Sequence, residues 1–277
     1  VTTLQQELAA ATESLAEVGV DTPRLDAELL LAHVLGVDRA QLVIRSDEEA
    51  SADVRTRYLA LLTRRVKREP IAYILRRREF RRLSLVVDPR VLVPRPETEL
   101  LVEVGFRFPE GARVVDVGTG SGAIALALKD ERPDLEVVGV DSSAGALSVA
   151  RMNASRLRLA VEWVQADLLE PAEAGAPPIE CDAVLANLPY IAARELLPPE
   201  VALYEPRSAL LAGEDGLDLI RRLLEQAGAR ERIELIALEI GAGQAEAVSS
   251  LVRAAGFGQI DRMSDLAGHE RVVIGRR

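Results

Sequence analysis

The chain has 277 residues, 48% of them hydrophobic, and a formal net charge of −10. That is enough for a sizeable core in one large or two smaller domains, and it excludes an intrinsically disordered chain. The acidic balance argues against tight, sequence-independent nucleic-acid binding, which needs many phosphate-neutralising cations.

No apolar run reaches the ~18 residues that span a bilayer. Residues 2–7 lack the basic head and apolar stretch of a signal peptide. A cytoplasmic protein, free of membrane association, is therefore expected. Cys181 is the single cysteine, so no internal disulfide can form, and beside a predicted strand it reads as a core thiol.

The N-terminal part reads as helices. Leu4, Leu8, Ala11, Leu15 and Val18 recur at helical spacing and stop at Gly19. Asp21-Thr22-Pro23 opens a second helix that runs to Leu35 and Gly36, and a third spans 51–68 with Ser51 as N-cap. Arginines crowd the stretch that follows, among them Arg76, Arg77, Arg78, Arg81 and Arg82. This is a solvated face or a docking patch. From Glu79 to Val93 the alternation of Leu83, Leu85 and Val87 with Arg82, Ser84 and Val86 predicts a β-hairpin. The domain reading is thus a helical bundle at 1–74, a hairpin connector at 75–93 and an α/β domain at 94–277.

Beyond residue 112, strands alternate with helices, the pattern of a doubly wound, mostly parallel sheet. Seven strands are expected, at 113–117, 136–141, 161–165, 182–186, 233–240, 256–260 and 271–274, the last two as an edge hairpin.

Candidate site residues fall at the carboxyl ends of these strands, where open α/β sheets bind ligands. Asp116-Val117-Gly118-Thr119-Gly120-Ser121-Gly122 leads from the first strand into a helix. Glycines let backbone approach a ligand closely, and the helix amino end offers free N–H donors. A dinucleotide loop spaces its glycines Gly-x-Gly-x-x-Gly. Here the third comes one residue early, which resembles the S-adenosylmethionine methyltransferases instead. In that resemblance Asp116 would sit near the cofactor's ammonium end, and Gly118, Thr119, Gly120, Ser121 and Gly122 would line it.

Asp141 ends the second strand about 20 residues later, where an acid accepts from a ribose diol. It or Ser142 could instead cap the following helix. Asp167 closes the third strand, placed to accept from an adenine amine while Leu168 packs on the ring.

Asn187-Leu188-Pro189-Tyr190 follows the fourth strand. A carboxamide nitrogen is a weak nucleophile because its lone pair is delocalised. The Asn187 side-chain oxygen and the Leu188 carbonyl could accept its two hydrogens and favour the pyramidal, reactive form. Pro189 biases Leu188 toward extended backbone, and Tyr190 could stack on the planar group. Asn187 and Tyr190 are the catalytic candidates, and Asn187 also borders the cofactor. The alternative is a strand end with a Pro turn, but its place after a cofactor loop favours chemistry.

The ordered motifs resemble one family throughout the chain, the peptide-chain release-factor glutamine methyltransferases. They include Pro23-Arg24-Leu25-Asp26-Ala27-Glu28, Arg68-Glu69-Pro70-Ile71-Ala72-Tyr73, Val93-Pro94-Arg95-Pro96-Glu97-Thr98-Glu99, Tyr204-Glu205-Pro206-Arg207, Leu238-Glu239-Ile240-Gly241 and Asp265-Leu266-Ala267-Gly268. The resemblance implies a class I methyltransferase fold and methylation of the glutamine amide in the Gly-Gly-Gln loop of release factors. It also implies a helical domain that helps hold the protein substrate. Neither stable nucleic-acid binding nor a metal is expected, and the chain should be a monomer. The family's usual Asn-Pro-Pro-Tyr reads Asn-Leu-Pro-Tyr here. A glycine is usual at position 76, and an aromatic-glycine pair at 81–82. The four-residue form also looks like that of rRNA adenine dimethyltransferases. An adenine-amine methyltransferase and a binding protein without turnover are the alternative functions.

Overall fold

The computed structural model describes residues 2–277. Two compact units form: one runs up to Arg76 and takes in Leu197–Tyr204, the other holds Arg77–Leu196 and Glu205–Arg277.

The first unit is helical. α1 (Leu4–Glu17) starts at Thr3, whose capping box with Gln6 satisfies free N–H groups of the first turn. α2 (Pro23–Leu35) has Pro23 in its first turn and stops at Gly36, in the left-handed region at φ 67°. α4 (Ala52–Val66) is capped by Ser51. Two further short helices, α3 (Arg39–Ile44) and α5 (Ile71–Leu75), are additions to the three expected. At six and five residues they show no apolar period, although Asp38 and Gln41 do form a capping box that the sequence carried.

Leu4, Leu8, Leu15, Leu30, Leu31 and Tyr58 fill this unit's core. Arg65 is buried beside it, its Nε 2.7 Å from Asp26 Oδ2 and its Nη2 3.1 Å from Glu200 Oε1. Glu200 also takes a forked contact from Arg68. So the returning segment is held to the bundle by charge.

α5 ends at Arg76, an exposed residue at φ 54°. A Cβ in the left-handed region costs about 1–2 kcal/mol, part of which glycine's larger unfolded-state entropy would offset. Arg76→Gly is therefore expected to raise stability by about 0.5–1 kcal/mol, read as a higher urea midpoint at unchanged slope.

The second unit begins with an antiparallel hairpin, β1 (Arg78–Phe80) and β2 (Leu83–Leu85), with Phe80 opposite Leu83. A 3₁₀ turn at Pro96–Thr98 leads into α6 (Glu99–Gly105). Alternation then follows: β3 (Arg113–Val117), α7 (Ala123–Glu131), β4 (Glu136–Asp141), α8 (Ala144–Leu157), β5 (Glu162–Asp167), β6 (Glu170–Pro171) and β7 (Ala183–Ala186). After α9 (Pro199–Tyr204), which packs in the first unit, come α10 (Asp218–Gly228), β8 (Leu235–Glu239), α11 (Ala245–Ala254), β9 (Gln259–Ser264) and β10 (Glu270–Arg276).

The sheet runs β6-β5-β4-β3-β7-β8-β10-β9. It has eight strands rather than the seven expected, because the two-residue β6 pairs antiparallel with the edge of β5. β5, β4, β3, β7 and β8 run parallel, and β10 inserts antiparallel between β8 and β9. Helices cover both faces, so the inner strands read as continuous apolar runs, such as fully buried Ala183–Ala186. The chain steps outward from β3 to β5, then returns to β7 on the other side of β3. That reversal opens a crevice at the carboxyl ends of β3 and β7.

Candidate active site

A cavity of about 340 Å³ fills this crevice, within the usual range for small-molecule sites. Its floor is the loop after β3. Gly118, Gly120 and Gly122 have φ of 74°, 56° and 82°, so the loop follows a path that side-chain-bearing residues rarely take. The N–H groups of Gly118 and Thr119 both donate to the Val140 carbonyl at 2.9 Å, tying the loop to β4. Asp141 Oδ2 accepts from Gly120 N at 2.9 Å, while Oδ1 accepts from Ser143 N at 2.9 Å. The cap of α8 is Ser143 itself, so Asp141 stays on the cavity wall. Burial holds its carboxyl above the usual range.

Asp116 lies behind the loop and does not line the cavity, in contrast to its expected place near the cofactor's ammonium. Its Oδ2 accepts from the Thr119 hydroxyl at 2.5 Å and from Ala125 N at 3.1 Å, so it brackets the loop against the start of α7. Burial pushes this carboxyl up to about 7. Oδ1 is buried without a partner. Asparagine can place its oxygen at Oδ2 and keep both bonds. Accordingly, Asp116→Asn should hold cofactor affinity within about threefold, whereas Asp116→Ala, which loses both bonds, should weaken it at least about tenfold. Calorimetric titration with the cofactor checks both.

Buried Asn153 was not a sequence candidate. Its Nδ2 donates to the carbonyls of Ser121 and Val86, both at 3.0 Å, and its Oδ1 accepts from Val86 N at 2.8 Å. Trp163 of β5 packs against Gly139 of the neighbouring β4, where a Cβ would stand 2.3 Å from the indole. The lone glycine inside Val138-Gly139-Val140 was the available signal for that close approach.

At the far wall Leu168 adopts φ 60°, a strained conformation of the kind that clusters at functional sites. The neighbouring Leu169 N is held by Gln226 Oε1 at 2.8 Å. Asp167 lines the same wall, its Oδ2 2.6 Å from Arg222.

Asn187, Leu188 and Pro189 close the cavity from β7. The Leu188 side chain is buried and packs on the loop; a Cβ on Gly118 would stand 3.1 Å from it. Asn187 Nδ2 donates to Thr98 Oγ1 at 2.9 Å. Among the described residues, neither Asn187 Oδ1 nor the Leu188 carbonyl accepts a hydrogen bond. Two free acceptors thus belong to adjacent residues of the cavity wall.

Tyr190 does not line the cavity. Its hydroxyl is 3.5 Å from Glu239 Oε1, and burial pushes it up to about 12. Its carbonyl accepts from Gln244 at 3.0 Å. Glu239, at the end of β8, is buried, and burial pushes it up to about 7. Sequence reading named neither Thr98 nor Glu239 as a site residue, though both lie in quoted motifs.

Of the basic stretch, Arg77, Arg81 and Arg82 pair with Glu79, Glu131 and Asp130 of their own unit. Cys181 is buried and its thiol is pushed up to about 12. Among the described residues, no group of three or more His, Cys, Asp or Glu side chains could hold a metal, and no helix is long and apolar enough to cross a membrane.

A parallel sheet closed by an antiparallel hairpin, with a glycine loop and a polar strand end at its switch point, defines the Rossmann-like methyltransferase class. Residues 96–198 match the methyltransferase small domain and 6–75 the PrmC N-terminal domain. A solved T. thermophilus 16S rRNA methyltransferase, in complex with AdoMet and guanosine, shares the fold. It covers 73% of this chain and 49% of that chain, with TM-score 0.52 and 18% identity. Much closer are the release factor glutamine methyltransferases of Geobacter sulfurreducens, 41% identical over 95% of this chain and 92% of that one, and of Burkholderia pseudomallei, 43% identical over 97% and 96%. The chain belongs to the release factor glutamine methyltransferase family.

Proposed function

We propose that this chain transfers a methyl group from S-adenosylmethionine to the side-chain amide nitrogen of the glutamine in the Gly-Gly-Gln motif of peptide-chain release factors. The observation that carries this reading is the pair of free acceptors, Asn187 Oδ1 and the Leu188 carbonyl, on the wall of a cavity floored by the glycine loop. A primary amide brings two N–H donors and one nucleophilic nitrogen to such a pair.

The residues fit the cofactor. Three glycines at positive φ clear the floor, and a Cβ at Gly118 would press on Leu188. Gly118, Thr119, Gly120 and Ser121 would hold the amino-acid end, Asp141 the ribose, and Asp167 with Leu168 the adenine. Each Asp141 oxygen keeps a lone pair beyond its single backbone bond. When bound, the cofactor supplies an electrophilic methyl on a positive sulfur.

The chain's own contribution is alignment. Asn187 and Leu188 each take one amide hydrogen, which fixes the nitrogen and draws its lone pair out of conjugation. These bonds strengthen as positive charge develops on nitrogen, so they stabilise the transition state more than the ground state. No base need act at that moment, since the proton can leave afterwards to water. Tyr190 supports this wall through Glu239 and Gln244 rather than from within the cavity.

The test is incubation with tritiated S-adenosylmethionine and a release factor, its Gln→Ala variant, or RNA. Label on the unaltered release factor alone is the expected result. Label on the Gln→Ala protein or on RNA would overturn it.

A further inference from the structure

We propose that Gln226 and Arg222, on one face of α10, are positioning residues that set how strictly the cofactor pocket selects adenine over a base without the exocyclic amine. This rests on the reading of Asp167 and Leu168 as the adenine wall. Neither Gln226 nor Arg222 lines the cavity, so both act through the turn that they hold.

That turn is under strain. β5 and β6 pair antiparallel with Asp167 opposite Glu170, so Leu168 and Leu169 alone make the reversal. Two-residue hairpin loops need positive φ at the first central position, where glycine is usual. Leu168 stands there instead, at φ 60° and with its side chain 7% exposed. A bulky residue in the left-handed region persists only where its surroundings over-determine it.

α10 supplies the restraint. Gln226 Oε1 accepts from Leu169 N at 2.8 Å, and its Nε2 stands 3.5 Å from the Asp167 carbonyl oxygen. The side-chain amide thus spans the strained residue and holds the peptide groups on either side of it. Its orientation is fixed, because a backbone N–H can only donate and a carbonyl can only accept. Two residues past the helix end, Arg230 donates to the Leu169 carbonyl at 3.3 Å. Side chains four apart lie along one helix face, so Arg222, Gln226 and Arg230 all reach the same turn.

Arg222 aims the carboxylate. Its Nη2 lies 2.6 Å from Asp167 Oδ2, and among the described residues Oδ1 accepts no hydrogen bond. Both partners are exposed, so the pair contributes little to stability. What it fixes is direction, leaving Oδ1 to receive an amine. Hypoxanthine carries a carbonyl oxygen where adenine carries that amine, and so would set acceptor against acceptor. A site aimed at a donor rejects the analogue that lacks it.

Calorimetric titration of the full chain with S-adenosylhomocysteine and with S-inosylhomocysteine, its hypoxanthine counterpart, tests this. The unaltered chain should prefer the adenine form at least about 30-fold. Gln226→Leu should weaken the adenine form about tenfold and the hypoxanthine form less than about threefold. In steady-state kinetics its KM for S-adenosylmethionine should rise about tenfold, with kcat within about threefold. Gln226→Glu keeps an acceptor for Leu169 N and should hold the adenine form within about threefold of the unaltered affinity. Arg222→Met should cut the preference at least about threefold. Equal weakening of both ligands in Gln226→Leu, or a full preference in either it or Arg222→Met, would overturn the proposal. If Gln226→Leu does not fold, Arg222→Met at its exposed position decides alone. No preference in the unaltered chain, or one untouched by Asp167→Ala, would instead remove the adenine-wall reading on which the proposal rests.

Discussion

Asn187→Ala is expected to lower kcat about a hundred- to a thousandfold, while cofactor affinity changes by less than about threefold. The size follows from what is removed. A preorganised hydrogen-bonding group aimed at developing charge in a water-poor site contributes about that much to a rate. Asn187 is such a group: Thr98 holds its Nδ2 at 2.9 Å, so the oxygen pays little reorganisation on meeting the substrate. The Leu188 carbonyl remains in the variant and should sustain the residual rate. Asn187 borders the cavity but contributes no bond to the glycine loop, whose ties run to Val140, Asp116, Asp141 and Asn153. The loss should therefore sit in kcat. Rapid-quench measurement with saturating cofactor reads the rate, and calorimetric titration with the cofactor reads the affinity. An equal fall in cofactor affinity and rate would mean that Asn187 holds the cofactor instead.

The largest expected effect on stability lies in the helical unit. Arg65→Ala should destabilise it by about 3–5 kcal/mol, because two carboxylates lose their partner together. Asp26 is 3% exposed and would keep only Thr22 at 3.0 Å. Glu200 would retain Arg68 alone. Replacing the buried pair by apolar groups of similar size removes the uncompensated charge, so Arg65→Met with Asp26→Leu should recover most of the loss. Urea unfolding monitored by far-ultraviolet circular dichroism measures both. A cost below about 1 kcal/mol for Arg65→Ala would show that this cluster is better hydrated than its burial implies.

Much of this architecture was legible in the sequence because the period of the apolar residues changes where the structure changes. Helical spacing at Leu4, Leu8, Ala11 and Leu15 gives α1, and the unbroken apolar run before Asn187 gives a strand buried on both faces. The strand-end placement of Asp141, Asp167 and Asn187 followed from the same alternation. Where pattern fails, the cause is local. α3 and α5 are too short to show a period, and β6 is two residues joined to an edge. Asp116 could be seen to precede the loop, but not to turn behind it, since that depends on its bonds to Thr119 and Ala125. Likewise Tyr190 follows the strand end yet turns to Glu239, a residue 49 positions away in sequence. Thr98 meets Asn187, and Glu239 meets Tyr190, only in the folded chain, which no single segment encodes.

The central claim is that the residue-187 carboxamide oxygen and the residue-188 carbonyl together hold the substrate's amide nitrogen. A crystal structure of the chain with S-adenosylhomocysteine and a Gly-Gly-Gln peptide tests it most directly. The account predicts the glutamine Nε2 within about 3.2 Å of both oxygens, with Asn187 Nδ2 still on Thr98. A glutamine bound elsewhere in the cavity, or an Asn187 whose oxygen has turned to Thr98, would contradict it.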